Sequence, residues 1–327
     1  MMPKVLCLRP ESDFTRIGVI PPSALDITYM APDDPQLPVA LRQADALVIP
    51  AVGPALPSEL FVDSRVKLVQ VTGAGIDRVD AAALGALGIA VANVPGGSND
   101  AIAEYAVSCA SVLLRRYPQA SAEIRNGQYD AFRRRLLGSL VDGLDGLSAG
   151  IVGLGVIGRA VAQRFKDSGC RIAYFDPALT DPRAASALEA DSLSLEDLVS
   201  QSDILTVHVP LLPATRDLID ANILSRTKRG AVLIQASRGG IVNEKALADA
   251  LESGHLSGAA VDVYSTEPPA PDNPLLNLSD AAAGRTILTP HIAGITRQSW
   301  IYLFQTAWDN VVQVVVDGQP PSHVVAA

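Results

Sequence analysis

Three cysteines and four histidines are few for a chain of 327 residues, and neither set has the close spacing of a metal centre. Cys7, Cys109 and Cys170 are odd in number and each sits in an apolar segment. They read as reduced core residues of a cytoplasmic protein, with no metal and no disulfide framework. No run of eighteen apolar residues occurs, so no transmembrane helix is expected. The segment Met1-Met2-Pro3-Lys4-Val5-Leu6-Cys7-Leu8 lacks the apolar core and cleavage site of a signal peptide and reads as a first strand. Positive charge is also short. Lys and Arg number 26 against 35 Asp and Glu, a net charge of −9, which argues against nucleic-acid and anionic-membrane partners. No internal repeat stands out. What remains, 48% apolar and 19% charged residues, is ordinary for a globular chain, and the length suggests about two domains.

The stretch Gly150-Ile151-Val152-Gly153-Leu154-Gly155-Val156-Ile157-Gly158-Arg159 organises the rest. An apolar run ends in a glycine turn, and a helical pattern follows at once. Gly153, Gly155 and Gly158 have the spacing G-x-G-x-x-G. The first allows a tight turn, the second leaves room for a pyrophosphate, and the third lets helix and strand approach closely. The helix amino terminus then offers N–H groups and partial positive charge to the phosphates. A second strand runs through Arg171–Phe175 to Asp176, eighteen positions past Gly158, where a carboxylate would meet ribose hydroxyls. The alternative is a strand-end turn residue before Pro177. No Lys or Arg follows before Arg183, which favours NAD over NADP.

Candidate strands before residue 98 are Lys4–Leu8, Asp26–Met30, Ala46–Pro50, Lys67–Val71 and Ala90–Ala92, the last four spaced for βα alternation and a small parallel domain. At the fourth strand end, Gly73 and Gly75 let backbone N–H groups face outward, and a plain strand–helix turn explains them equally well. Turn residues from Asn93 to Asn99 mark a hinge, followed by a helix from Asp100 to about Tyr117. The basic run Arg133-Arg134-Arg135 reads as a solvated or subunit-facing surface. Further strands are expected at Ser148–Val152, Arg171–Phe175, Ile204–Val207, Ala231–Gln235, Gly258–Val263 and Thr286–Leu288. They make a doubly wound sheet of six or seven strands, and a last helix runs from Arg297 to about Val316. The fold class is α/β: two Rossmann-like doubly wound parallel-sheet domains, the first discontinuous.

Three strand ends carry residues apt for chemistry. Arg238, in Gln235-Ala236-Ser237-Arg238-Gly239-Gly240, offers a planar fork to a carboxylate or carbonyl, unless it is simply paired on the surface. Asp262 lies inside an apolar strand, which is costly without a partner such as a nicotinamide carboxamide. Glu267 follows in a proline-stiffened loop, as a functional acid or a solvated one. His291, in Thr289-Pro290-His291-Ile292-Ala293-Gly294, can exchange protons near neutrality, although a lone strand-end histidine is commonly structural. Glu267 nearby would hold it in the proton-donating form.

These stretches together resemble the D-isomer-specific 2-hydroxyacid dehydrogenases, the glyoxylate/hydroxypyruvate reductases and phosphoglycerate dehydrogenases among them. The residues that carry the resemblance are Gly73–Asp80, Asn93–Glu104, Gly150–Gly158, Pro210–Thr215, Ala236–Leu247, Val261–Pro268 and Thr289–Gly294. It implies a catalytic set of Arg238, Glu267 and His291. It implies NAD contacts from Gly153, Gly155, Val156, Ile157, Gly158, Asp176, His208, Pro210, Thr215, Ala236, Ser237, Arg238, Asp262, His291 and Gly294. Ala74 and Gly75, with Arg238 and His291, would hold the substrate. The resemblance further implies a flavodoxin-like substrate domain of residues 1–98 plus 292–327, an NAD-binding domain of residues 99–291, and a homodimer joined through the latter.

The expected activity is hydride transfer between NAD(H) and a small 2-oxo or D-2-hydroxy acid. Departures refine it. Gln235 stands where many relatives have Asn. Glu267, where the formate-oxidising branch has Gln, disfavours formate. Pro50-Ala51-Val52-Gly53-Pro54 carries no charge where phosphoglycerate dehydrogenases place a basic residue, so an unphosphorylated substrate is favoured. Tyr129 and Phe132 occupy a segment where many relatives place a tryptophan. The alternatives are an NADH-binding corepressor or scaffold of the same fold, a phosphoglycerate dehydrogenase-like enzyme, or a phosphite oxidiser. The phosphite-oxidising branch uses a lysine near the position of Gly73–Gly75, and this chain has none there.

Overall fold

The computed structural model describes residues 2–179 and 183–325. The chain divides into two compact units, Met1–Ser98 with Ile295–Ala327, and Asn99–Gly294. Among the described residues, each unit is built on one parallel sheet.

The first unit contains β1 (Lys4–Cys7), β2 (Asp26–Tyr29), β3 (Ala46–Ile49), β4 (Leu68–Val71) and β5 (Ala90–Ala92), in the order β2-β1-β3-β4-β5. This is the flavodoxin-like order. The central strands β3 and β4 are buried at every position, as a sheet covered on both faces requires, and edge strand β2 alternates exposed and half-buried. On one face Phe14, Phe304, Ala307, Trp308 and Val311 pack with Val5, Cys7 and Val48. On the other, Leu37, Leu41, Phe61 and Leu84 pack with Leu47, Ile49 and Val69. The closing helix Arg297–Val315 is fastened by a buried polar pair, Asn310 Nδ2 donating to Gln70 Oε1 at 2.9 Å. Removing Asn310 would leave the buried Gln70 oxygen without this donor, whereas Asn310 keeps its bonds to Ser322.

The second unit contains β6 (Ser148–Val152), β7 (Arg171–Phe175), β8 (Asp191–Ser192), β9 (Ile204–Val207), β10 (Val232–Gln235), β11 (Gly258–Val261) and β12 (Thr286–Leu288). Its order, β12-β11-β10-β9-β6-β7-β8, is doubly wound with the reversal between β6 and β9. The helices Asn99–Leu114 and Val156–Asp167 cover one face through Ala103, Ala106, Ala110, Val161 and Phe165. Leu198, Leu224, Leu247 and Leu251 cover the other. Burying each such aliphatic or aromatic side chain contributes roughly 1.5–3 kcal/mol.

Two expectations need correction, and one strand falls outside those singled out. The helix after the hinge ends at Leu114, because Arg116 takes a left-handed φ of +55°. Pro118 then helps start a separate helix, Tyr117–Arg125, and another spans Tyr129–Ser139. Strand β11 stops at Val261, so Asp262 stands at the strand's end rather than inside it. The two-residue β8 is exposed and too short to leave a periodic signal.

Candidate active site

At the reversal point, each glycine of the first motif has a separate steric reason. Gly153 has φ +95°, and a Cβ there would lie 2.9 Å from the His208 carbonyl oxygen. At Gly158 a Cβ would lie 1.9 Å from the Gly153 oxygen, so helix and strand could not approach. A Cβ at Gly155 would meet nothing within 4 Å. The crowding therefore fixes the loop at its two ends, and the middle glycine faces open space. Gly155 caps the helix Val156–Asp167 without a side-chain bond. Val156 is exposed and Ile157 half-buried at this helix start. An open glycine before an uncapped helix terminus suits a phosphate.

Asp176 is half-buried at the end of β7. One carboxylate oxygen accepts the Leu154 N–H at 2.8 Å and the other the Ala178 N–H at 2.9 Å. It thus closes its own turn and binds the glycine loop. Two of about four lone-pair sites are used, so room for further donors remains. These features fit a bound dinucleotide.

Beyond β9, His208 Nε2 bonds the Thr206 hydroxyl at 2.7 Å, and its backbone N–H donates to Val152 at 2.7 Å. Its Nδ1 has no partner among the described residues. Burial pushes this imidazole down to about 3, so it is neutral at physiological pH. The next loop is folded by Thr215, whose hydroxyl donates to the Pro210 carbonyl at 2.6 Å and accepts the Leu212 N–H at 2.8 Å.

After β10, Gln235 splints the loop that carries Arg238. Its Oε1 accepts the Ser237 hydroxyl at 2.8 Å, and its Nε2 donates to the Arg238 carbonyl at 2.9 Å. Ala236 and Ser237 are buried. Arg238 is half-buried, and its Nη1 donates to the Ser237 carbonyl at 2.8 Å. Gly239 admits no side chain, because a Cβ would sit 1.8 Å from the Tyr264 oxygen. That approach lays the Arg238 loop against the loop after β11.

His291 and Glu267 meet. Nδ1 of His291 lies 2.8 Å from Glu267 Oε2, with each side chain about a quarter exposed. The other Glu267 oxygen accepts the Tyr264 N–H at 3.1 Å. Glu244, from the next helix, accepts the Ser265 hydroxyl at 3.0 Å and the Asn273 amide at 2.8 Å, which pins the loop bearing Glu267. His291 has a left-handed φ of +56°. Its backbone N–H donates to the Asp262 carbonyl at 2.8 Å.

The partner expected for buried Asp262 is supplied by the protein itself. Its Oδ1 accepts the Thr289 hydroxyl at 2.6 Å and the Ile292 N–H at 2.8 Å, and its Oδ2 accepts the Ala293 N–H at 2.8 Å. Gly294 follows, half-buried. Sequence reasoning gave no role to Thr289, Tyr105 or Glu244. Their hydrogen bonds span tens of residues and leave no local pattern.

Ala74 and Gly75 belong to the first unit, half-buried beyond β4. Asn93 Nδ2 donates to the Ala74 carbonyl at 2.7 Å and so holds that turn. Nearby, the uncharged Pro50–Pro54 loop is held by a cation from another strand end. Buried Arg78 donates through Nε to Pro54 at 2.8 Å and through Nη1 to Pro50 at 3.1 Å. Sequence reasoning counted only the loop's own charge and missed it.

Known proteins bear on this geometry. The profile of the family described as D-isomer specific 2-hydroxyacid dehydrogenase, NAD binding domain, matches residues 107–293. A D-3-phosphoglycerate dehydrogenase of Mycobacterium bovis is 36% identical over 268 residues, covering 82% of this chain and 48% of that protein. The chain thus spans about half the length of the curated relatives it matches. A solved protein of Thermus thermophilus is 30% identical with a TM-score of 0.84, covering 99% of this chain and 100% of that one. The NAD-dependent formate dehydrogenase of Staphylococcus aureus, solved in complex with NAD, is 26% identical with a TM-score of 0.80, covering 99% of each chain. With the family's NAD-binding domain matched over more than half of its residues, the chain belongs to the D-isomer specific 2-hydroxyacid dehydrogenase family.

Proposed function

We propose that the protein is an NAD-dependent oxidoreductase acting between a small 2-oxo acid and its D-2-hydroxy acid. The observation that carries this reading is the 2.8 Å contact between His291 and Glu267, beside the Arg238 loop at the carboxyl ends of parallel strands. Glu267 accepts the Nδ1 proton, which leaves Nε2 to exchange a proton with substrate oxygen. In the reducing direction His291 protonates the carbonyl oxygen, and Glu267 stabilises the imidazolium. Arg238 orients the carbonyl and carboxylate. Ala74 and Gly75, of the first unit, are assigned to the substrate carboxylate through their N–H groups.

The dinucleotide would be held by the glycine loop with Val156 and Ile157 at the pyrophosphate, and by Asp176 at the ribose. His208, Pro210, Thr215, Ala236, Ser237, Arg238, Asp262, His291 and Gly294 would line the remainder. Bound there, NADH supplies the hydride that reduces the keto carbon.

An unphosphorylated acid is the favoured substrate. The Pro50–Pro54 loop has no charged side chain, and the Arg78 guanidinium is buried against that loop's own carbonyls. The assembly we favour is a homodimer formed through the nucleotide-binding domain. In support, the helix Tyr117–Arg125 buries no residue and Tyr129–Ser139 buries only Phe132, while Ile124, Leu137 and Leu140 are exposed. A cytoplasmic setting agrees with three buried free cysteines, and no helix among the described residues is long and apolar enough to cross a membrane.

The test is NADH oxidation with glyoxylate, hydroxypyruvate, pyruvate and bulkier 2-oxo acids, with NADPH in parallel. Turnover of one small acid is expected, about tenfold better with NADH. His291→Ala should cut it by about a thousandfold while NADH still binds. An unchanged rate removes His291 from the mechanism. NADH binding without turnover of any acid would favour the corepressor reading.

A further inference from the structure

The Asp262 carboxylate is the inner end of a longer chain of hydrogen bonds. Thr289 gives its hydroxyl proton to Asp262 at 2.6 Å, so its oxygen is left to accept. The Tyr105 hydroxyl lies 2.8 Å from that oxygen and is therefore the donor. One turn along the same helix stands the free, buried Cys109. Burial raises the phenol of Tyr105 and pushes the Cys109 thiol up to about 11. Neither ionises near neutrality. The chain transmits orientation and leaves net charge untouched.

Its position gives it consequence. The polypeptide passes between the two units at 98/99 and at 294/295. Tyr105 stands on the helix that begins at the first crossing, Asn99–Leu114. Ile292 and Ala293, which donate to Asp262, stand just before the second. One carboxylate therefore fastens together the segments that leave the second unit in both directions. It also fixes the backbone on either side of His291, whose left-handed φ needs such support.

We propose that Tyr105 is a positioning residue for His291: through the Thr289 hydroxyl and the Asp262 carboxylate, it holds residues 291–293 in the conformation that sets the imidazole against Glu267. The proposal rests on the reading of His291 as the acid/base and extends it to a residue that touches neither substrate nor cofactor. Without the Tyr105 hydroxyl, the Thr289 hydroxyl rotor is released from its outer partner, and its donation to Asp262 is no longer held in one direction.

The test compares Tyr105→Phe, Thr289→Val and Thr289→Ser with the parent enzyme and with His291→Ala. Tyr105→Phe should lower kcat by about fivefold, with a smaller change in the KM for the 2-oxo acid and a displaced pH–rate profile. Thr289→Val should do the same or more, and Thr289→Ser should restore the parent profile. A readout that needs no substrate is the modification of His291 by diethyl pyrocarbonate, followed by peptide mass. Release from Glu267 should speed it by about threefold in Tyr105→Phe and Thr289→Val, and not in Thr289→Ser. Parent kcat, pH profile and modification rate in Tyr105→Phe, with His291→Ala inactive, would overturn the proposal. So would a loss of rate that tracks a lowered Tm while the other two readouts stay put, because that is packing alone. If His291→Ala keeps its rate, the acid/base reading fails, and the modification rate still decides whether Tyr105 holds His291.

Discussion

Asp262 and Arg78 are both charged, both almost fully buried at 1% and 2% exposure, and both stand where loops leave the carboxyl edge of a parallel sheet. Their surroundings differ. Asp262 receives two backbone N–H groups and a hydroxyl, all from the five residues Thr289–Ala293. Arg78 reaches two proline carbonyls, and its Nη2 has no partner among the described residues. A carboxylate that organises a short loop around itself is a built anchor. A guanidinium spread over a loop from a neighbouring strand, with one donor left over, is a looser clamp. The second unit therefore holds its chemistry-bearing loop more tightly than the first holds its Pro50–Pro54 loop.

The largest effect in this comparison should come from Asp262→Asn. The amide keeps the shape but turns a donor toward the Ala293 N–H or the Thr289 hydroxyl. Hydrogen bonds to a buried charge are the costly ones to lose, so urea unfolding should show a loss of roughly 3 kcal/mol. A loss below about 0.5 kcal/mol, within the range of neutral surface changes, would mean that the anchor is no tighter than the clamp.

Arg78→Met should cost less. Two carbonyls lose their donors, but a desolvated cation is also removed, and these terms oppose one another. Burial already lowers the pKa of Arg78, which shows the direction of the desolvation penalty. A net loss of about 1–2 kcal/mol by the same measurement is expected. Arg78→Lys should recover little of it, since one ammonium cannot reproduce the fork that spans Pro50 and Pro54. A stabilised Arg78→Met would sharpen the contrast further, because the clamp would then be a net liability to the fold.

The same contrast explains what could be read from sequence. Around the glycine turn and His291 the requirements are local. Gly153 needs its left-handed φ of +95°, Gly158 has no room for a Cβ against the Gly153 oxygen five positions earlier, and Ile292 and Ala293 donate to a single carboxylate, so short motifs record them. The alternation of apolar runs likewise made both parallel sheets legible, because covered strands are apolar throughout, as in β3, or apolar up to a last residue, as in β10 before Gln235. Other contacts leave no such record. Arg78 meets its loop 24 and 28 positions away, and Tyr105 meets Thr289 across 184. The helix break at Arg116 depends on a left-handed residue that periodicity cannot show. Asp262 was legible as a buried acid in need of a partner, but the partner came from its own domain.

His208 supplies the smallest and most selective test, because it is a half-buried residue whose enclosed imidazole is held without charge. Its pKa in the folded chain, about 3, lies below the ordinary value of 6.5. The unfolded chain therefore binds the extra proton between those two values, and the folded chain does not. Stability from this residue is complete above about pH 6.5 and falls as pH drops toward 3, by at most about 1.4 kcal/mol per pH unit. Carboxylates titrate over part of the same range, so the measurement is a difference: urea midpoints of the parent and of His208→Gln at several pH values between 7 and 4. The parent should lose stability faster on acidification, and the two curves should converge as pH falls. Parallel curves would mean that the imidazole charges without penalty beside the glycine turn. The second unit would then tolerate a loosely held cation just as the first does, and the contrast between the two would rest on Asp262 alone.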